Sequence, residues 1–550
     1  MSESQDDSVA ELNSKEETVD HTELHNTEVP HVHAKENKSI YDARKKLGEA
    51  LNTSRAPKEH PKSKTVDNDT QEEREENTVD ASIKKAVDSN INVAGGDIHT
   101  GATSEQITAI VERVFTSLLG KGSDKKSGQK EDVESFSELD LFARARLLTV
   151  CFFEGMNVTD FDNVFEIIRI ELFDDAYNED ELFERLYEHP RTIPGLDLIE
   201  VYDDEKSAKV YQFKELGSGK MLIELVKKEH SKLAFRFVTA LVEVIKSYTF
   251  SPEIRVRAAY ALAEIAEIDV RYVYKTAIKK MAESQDDRIR ATVSYFFAYL
   301  LINPDQSNSS IQNYLYGVIT DWADSSRWNL QWSAASVCEQ LGIFSETEQT
   351  QIFAQNTLKK LSSVDNIRVA NSVIHALVGW SLKQKPFAPF ILIREWVEEG
   401  SGGHRARFNP YQVRCVVGIW SFWALVIRNS ELLSKSVKND FVQPLDIAKI
   451  AEDNQGTDRD LLPIMVAVGT RSFEFKMGNH FFSQLEKWID VLPDNASLQA
   501  IIPVLLRRIY ATLPPQSLHQ RHLENRIVNV WLKSKNSALR SAAKSMLASN

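Results

Sequence analysis

Between residues 251 and 550 the apolar positions follow a helical period, and one phrase recurs: turn residues, an aliphatic residue, usually an arginine, and then small apolar residues. The aliphatic anchors of successive phrases are Ile254, Ile289, Leu330, Ile367, Val413, Leu461, Leu498 and Leu539. They recur at roughly 35–48 residues, with a further amphipathic segment between them, which is typical of arrays of helix pairs. The sequence therefore predicts an all-α fold in which residues 251–550 form a HEAT-type α-solenoid.

Residues 136–250 carry a different pattern, in which three helical segments are followed by period-two alternation. The third helical segment is short and acidic, and it lies within residues 179–188. The alternation occupies residues 196–202 and 208–213, on either side of a charged turn. Three helices followed by one β-hairpin is the order of a winged-helix domain, so we expect a winged-helix-like domain with trailing helices here.

The N-terminal part of the chain has the composition of a segment without a core. Residues 1–88 contain one aromatic residue, Tyr41, and are dominated by charged and small polar residues. Such a segment buries too little apolar surface to offset its conformational entropy, which predicts a disordered acidic tail. Residues 89–119 combine a short Gly-rich β-type motif with an amphipathic helix, and residues 120–135 have the composition of a flexible linker. The apolar positions of that helix are Ile107, Ile110, Val111, Val114, Phe115, Leu118 and Leu119.

The net charge of −14 works against binding of a phosphate backbone by the chain as a whole, so a nucleic-acid partner is not expected. Three widely spaced cysteines, Cys151, Cys338 and Cys415, suit a reducing compartment. The polar, acidic start predicts no signal peptide. The longest apolar run lies between Arg414 and Arg428 and is too short to span a bilayer. We therefore expect a cytoplasmic protein without a membrane segment.

Four arginines, Arg255, Arg290, Arg368 and Arg414, recur at equivalent positions of the repeats. One interpretation is that they pair with acidic residues of neighbouring repeats. The other is that they form a row along one solenoid groove, where they would bind phosphate groups or an acidic peptide.

The motifs of the common catalytic, cofactor and metal sites do not occur in the sequence. The Gly-Lys pairs at 217–220 and 120–122 lack the spacing of a phosphate-binding loop. The acidic stretch 174–181 lacks the glycine and spacing of a calcium loop. The histidines of the tail fall in a segment that is not expected to fold. We therefore predict a non-enzymatic chain with no catalytic residues, no cofactor and no metal.

The order of a winged-helix module and helical repeats over residues 136–550 resembles the C-terminal region of bacterial STAND-type signalling NTPases. The resemblance lies in architecture and not in motifs, and the NTPase itself has no counterpart in this sequence. It implies a sensor or scaffold in bacterial signalling or defence.

The island at 89–101 is similar to the short amyloid signalling motifs found at the ends of bacterial immune-like proteins. Its alternating aliphatic residues and glycines are Ile91, Val93, Gly95, Gly96, Ile98 and Gly101. The similarity implies self-assembly through stacked strands. An ordinary turn before the helix at 104–119 is the alternative interpretation.

Taken together, these patterns favour a protein-interaction scaffold or sensor, with a protein partner on the solenoid surface and the N-terminal arm recruiting an effector. The alternative is a nucleic-acid-associated regulator that uses the winged helix. In that case the acidic segment 179–188 would have to enter the major groove, where it would face phosphates of like charge.

Overall fold

A computed structural model describes most of the chain beyond residue 140. The described residues are 141–173, 196–203, 206–213, 218–247, 249–302, 309–382, 387–400, 409–435, 444–457 and 459–548. The tail, the island at 89–101, the helix predicted at 104–119 and the acidic segment 179–188 lie outside these ranges. The predictions made for them remain predictions.

The first described module consists of helices and one two-stranded sheet. Its elements are α1 (Leu141–Phe153), α2 (Val158–Phe173), β1 (Leu196–Asp203), β2 (Lys206–Phe213), α3 (Ser218–Glu229) and α4 (Ser231–Lys246). The strands pair antiparallel over their whole length, so the predicted hairpin is confirmed. Identification of the module as a winged helix stays a prediction, since its third helix falls among residues that are not described.

The turn between α1 and α2 fixes the hairpin to the helices. Gly155 has a φ of +76°, a conformation that glycine adopts without steric cost. Its N–H donates to the carbonyl of Tyr211 at 3.0 Å, and Asn157 forms a bridge with Val210. The Tyr211 ring lies 4.8 Å from that of Phe161 on α2, so β2 joins the helical core.

The described residues from 252 onward form a succession of helices. The elements are α5 (Pro252–Ala266), α6 (Val270–Val273), a π-helical turn (Tyr274–Ile278), α7 (Lys279–Ala282), α8 (Asp287–Ile302), α9 (Ser309–Ala323), α10 (Trp328–Phe344), α11 (Glu348–Leu361), α12 (Ile367–Ser381), α13 (Ala388–Glu399), α14 (Pro410–Ser434), α15 (Ile447–Asp453), α16 (Leu462–Glu474), α17 (Gly478–Val491), α18 (Ala496–Thr512), α19 (Leu518–Asn525), a second π-helical turn (Arg526–Trp531) and α20 (Ser537–Leu547). The prediction of a mostly helical chain with one hairpin is confirmed for the described residues.

The predicted anchors mark the starts of one series of helices. Seven lie in the first turn of α5, α8, α10, α12, α14, α18 and α20, and Leu461 is the N-cap residue of α16. Each helix of this series contacts the next, and most of their buried apolar side chains belong to one hydrophobic core that extends from Phe142 to Met546. Several of these helix starts are fixed by side-chain caps that the sequence shows as turn residues, such as Ser251, Asn366 and the capping box of Asn409 with Gln412.

Helix α14 is longer than the apolar run that predicted it. It covers 25 residues, and by length and composition it is the one described helix that could cross a membrane. Its most apolar window is 83% buried inside the protein, however, which is the burial of a core helix.

Candidate functional site

Arg255 and Arg290 point back into the protein. Arg255 donates from Nη1 to the carbonyl of Phe250 at 2.8 Å, and Arg290 donates from Nη1 to the carbonyl of Ser284 at 2.6 Å. Both side chains are buried. Each guanidinium therefore binds a carbonyl in the connection just before its own helix, which holds that connection against the array.

Arg414 also binds a backbone carbonyl, but one on helix α11 and not in the connection before its own helix. It donates from Nε to the carbonyl of Lys359 at 3.1 Å and from Nη2 to the hydroxyl of Ser363 at 2.6 Å. Its Nη1 lies 2.6 Å from a carboxylate oxygen of Glu399. Hydrogen bonding by Lys359 and Arg414 lowers the pKa of Glu399. Arg414 thus joins α14 to the ends of α11 and α13.

Arg368 differs from the other three. It is exposed, and its guanidinium lies 4.3 Å from the ring centroid of Trp328. The guanidinium of Arg290 lies 4.7 Å from the ring centroid of the same Trp328 indole. Burial and the neighbouring Arg368 lower the pKa of Arg290 to about 10. Of the four repeat arginines, Arg368 alone is exposed, so the proposed row of phosphate-binding arginines stays a prediction that rests mainly on this residue.

A cluster of charges joins the first module to the array. Lys227 on α3 contacts Glu224 at 3.0 Å, Glu267 at 2.7 Å and Glu264. The hydroxyl of Tyr299 on α8 also donates to Glu264. Burial alone would lower the pKa of Lys227, but the Glu264 and Glu267 carboxylates outweigh it, so the pKa lies above its ordinary value.

The carboxylates of this cluster lie close enough together to be considered as metal ligands. The oxygens of Glu224, Glu264 and Glu267 are within 4.8 Å of one another. The Lys227 ammonium contacts all three, and it supplies the positive charge that such a group requires. The cluster is therefore explained as an ion-pair network that holds α3 against α5.

The cysteines are placed in the core. Cys151, Cys338 and Cys415 are buried free thiols. Burial raises the pKa of Cys338 and of Cys415 to about 12, and it also raises the pKa of Cys151. None of the three has the accessible, low-pKa thiol that nucleophilic catalysis requires.

An open concavity lies across α13, α16 and α18. Its volume is 580 Å³, within the range of ligand-binding clefts. Val397, Pro463, Val466 and Ala467 give it an apolar floor, and Ala511 contributes from α18. We call this concavity the α13–α16–α18 groove.

The charges around the groove are distributed unevenly. Arg471 pairs with Glu474 and donates from Nε to the carbonyl of Val397 at 3.3 Å. Glu398, on the α13 side, pairs with Arg394 on its own helix. On the α18 side, Arg508 is exposed and has no ion-pair partner within the described ranges. Arg394 therefore balances the charge of Glu398 on the α13 side, whereas Arg508 makes the α18 rim basic.

One polar side chain at the groove is buried without a partner. Thr470 is 8% exposed, and its hydroxyl has no hydrogen-bond partner among the residues that the structure describes. Buried hydroxyls are normally hydrogen-bonded, and a threonine in a helix can bond to the carbonyl four residues earlier. The oxygen is itself shielded from solvent, so it is not presented to an occupant of the groove.

Sequence reasoning did not find the groove. Its residues come from three helices between 397 and 512, and they do not occur at equivalent repeat positions. The single signal in the sequence is small and apolar residues on the outward side of α16, where a surface helix would carry polar ones.

Comparisons with known proteins give no family for this chain. No family model and no curated protein matches it. Among solved structures, a crystal structure of an engineered protein is 11% identical and covers 86% of this chain and 98% of its own, with a TM-score of 0.21. The crystal complex of SYS-1 with POP-1 is 10% identical and covers 86% of this chain and 95% of that one, also with a TM-score of 0.21. A crystal structure of SYS-1 alone is 8% identical, covers 87% and 97%, and has the same TM-score. At this TM-score the similarity implies neither a shared fold nor a shared function.

Proposed function

We propose that the chain is a non-enzymatic protein-interaction scaffold or sensor, whose HEAT-type solenoid binds a protein partner in the α13–α16–α18 groove. The observation that carries the proposal is the groove itself, which combines an apolar floor with the exposed Arg508. An amphipathic helix laid into an apolar groove is one of the common modes of protein recognition. A partner with such a helix, acidic along one flank, fits the groove best.

The proposal extends to the N-terminal arm and to the biological setting. The first described module serves as a winged-helix-like docking element, while residues 1–135 recruit an effector, with self-assembly through residues 89–101. The resemblance to STAND-type signalling proteins supports a role in bacterial signalling or defence, in the cytoplasm.

Capture of partners by the full chain tests the function. The immobilised wild-type chain and two variants, Ala511→Glu and Ile352→Glu, are incubated with native lysate at several salt concentrations, and the bound proteins are identified by mass spectrometry. Ala511 is exposed in the groove and Ile352 is 47% exposed on α11, so both variants should fold. We expect a specific partner that the Ala511→Glu variant loses and the Ile352→Glu variant retains. Equal retention by both variants, or no specific partner at any salt, contradicts the proposal.

A further inference from the structure

The groove presents a defined pattern of contacts to an occupant. Val466 and Ala467 form an apolar floor on α16. The α18 side offers the charge of Arg508, which has no ion-pair partner among the described residues. A matching helix needs one apolar face with an acidic flank on the α18 side.

The sequence predicts such a helix at residues 104–119, which lie outside the described residues. The apolar positions predicted for 104–119 follow the spacing of three and four residues that places them on one face of a helix. At about 100° per residue, Glu112 and Glu105 fall just beyond one edge of this face, while Arg113 lies on the opposite, polar side of the helix. The acidic edge is therefore complementary to the basic α18 rim of the groove.

The chain between this segment and the described body is long enough to reach the groove. Residues 120–140 span at most about 70 Å when extended. From α1 to α16 the array has about six successive helix-to-helix contacts, which at about 8–10 Å each amount to about 50–60 Å. The segment can therefore dock on its own chain.

We propose that the α13–α16–α18 groove binds residues 104–119 of the same chain, and that this intramolecular contact competes with the protein partner. The inference deepens the proposed function and rests on it, because it names how access to that same site is regulated. The linker gives the segment a high effective concentration at the groove, so a partner must compete with it. Release of the segment frees the groove and the N-terminal arm together.

Disulfide trapping in the full chain tests the contact directly. Ala467→Cys is combined with Val111→Cys, and the rate of intrachain disulfide formation is measured by mass spectrometry of proteolytic peptides. The native thiols interfere little because they are buried, with Cys338 and Cys415 at a raised pKa. The control pairs Val111→Cys with Ile352→Cys on the exposed side of α11. Along the array, fewer successive helix-to-helix contacts separate α1 from α11 than separate α1 from the groove.

We expect the pair at 467 and 111 to cross-link at least about tenfold faster than the control pair, because docking holds the two thiols within bonding distance. Equal rates for the two pairs overturn the inference. Disulfides formed mainly between chains overturn it as well, since they assign the groove to a second copy.

Charge exchange tests the orientation of the segment. Arg508→Glu should slow cross-linking of the pair at 467 and 111 by about tenfold, since the acidic flank then meets like charge. Adding Glu105→Arg and Glu112→Arg to that variant should restore the rate. Failure of the restoration contradicts the proposed orientation and overturns the inference.

Failure of the inference can be separated from failure of the proposed function. The variant Phe115→Asp should release the segment and increase partner capture, while Ala511→Glu should abolish capture. If trapping fails but Ala511→Glu still abolishes capture, the intramolecular contact alone is wrong. If trapping succeeds and the released chain captures no partner, the proposed partner function is wrong.

Discussion

Three of the recurring arginines and Arg508 at the groove have opposite environments. Arg255, Arg290 and Arg414 recur with the repeat, and each is engaged by carbonyls of the array. Arg508 does not belong to the recurring set, and it stands exposed at the groove without an ion-pair partner in the described parts of the chain. Three of the four recurring arginines therefore build the array, whereas Arg508, which is available for binding, lies outside the repeat pattern.

The close packing of the array should be the most sensitive to substitution. A Cβ added at Gly342 on α10 would lie 1.7 Å from the indole of Trp380, whose N–H is held by the carbonyls of Cys338 and Glu339. We expect Gly342→Ala to lower the free energy of unfolding by about 3 kcal/mol, measured by denaturant unfolding. The matched control is Gly317→Ala on α9, where nothing lies within 4 Å. This variant should gain about 0.5–1 kcal/mol, and equal effects of the two would show that the inter-helix spacing is wrong.

Replacement of a recurring arginine should have the next largest effect. Arg290 is 1% exposed and binds Asp287, the Ser284 carbonyl and the rings of Trp328 and Trp332. We expect Arg290→Met to lower the free energy of unfolding by about 2–3 kcal/mol. The loss is smaller than that on removing one partner of a fully buried ion pair, because Asp287 is 32% exposed. If Arg290→Met has the same free energy of unfolding as the wild type, the recurring arginines do not have the structural role that we assign to them.

Lys227, the cation of the ion-pair network between α3 and α5, is also expected to stabilise the array. Lys227→Met leaves the partly buried Glu264 and Glu267 without their counter-charge, and we expect a loss of about 2 kcal/mol. Because the folded pKa of Lys227 is raised, its contribution is fully present below about pH 10 and is lost only as pH rises through the folded pKa. The deficit measured by unfolding should thus be the same at about pH 7 and pH 9.

The matched control for this variant is Lys228→Met, since Lys228 is the exposed neighbour on the same helix. We expect it to change the free energy of unfolding by no more than about 0.5 kcal/mol. A deficit for Lys227→Met that disappears by pH 9 would contradict a raised pKa.

The smallest effect is expected at the exposed member of the recurring set. Arg368 contacts Trp328 from the solvent side, and an exposed cation–π contact contributes about 0.5–1 kcal/mol. Arg368→Met should therefore shift the unfolding free energy by no more than about 1 kcal/mol. A loss as large as that of Arg290→Met would place Arg368 among the structural arginines and weaken the comparison.

The sequence was sufficient to locate the helices of the array but not its surface. Anchors such as Ile254 and Leu539 fall at helix starts because aliphatic spacing and capping residues are local signals. The directions of Arg290 and Arg368 were not predictable, because they depend on Trp328, which lies about forty residues away in sequence. The π-helical turn at 274–278 also had no signal in the pattern.

The groove shows the limit of sequence reasoning most clearly. Val397, Ala467 and Arg508 meet only after α13, α16 and α18 have stacked, and no local spacing relates them. The apolar segment 104–119, in contrast, is readable from sequence alone, although its binding site is not.

The most direct test replaces either Arg290, a recurring arginine, or Arg508, the arginine of the groove, with methionine. Each substitution is made in the full chain that also carries Phe115→Asp. For each chain, the thermal midpoint is measured together with the affinity for a labelled peptide of residues 104–119. The account predicts that Arg290→Met lowers the midpoint and leaves the affinity of the folded chain unchanged. It predicts that Arg508→Met leaves the midpoint unchanged and weakens binding of the peptide by about tenfold, or about 1.4 kcal/mol. The opposite assignment, or equal effects of the two substitutions on both quantities, would contradict the claim that the recurring arginines build the array while the groove binds.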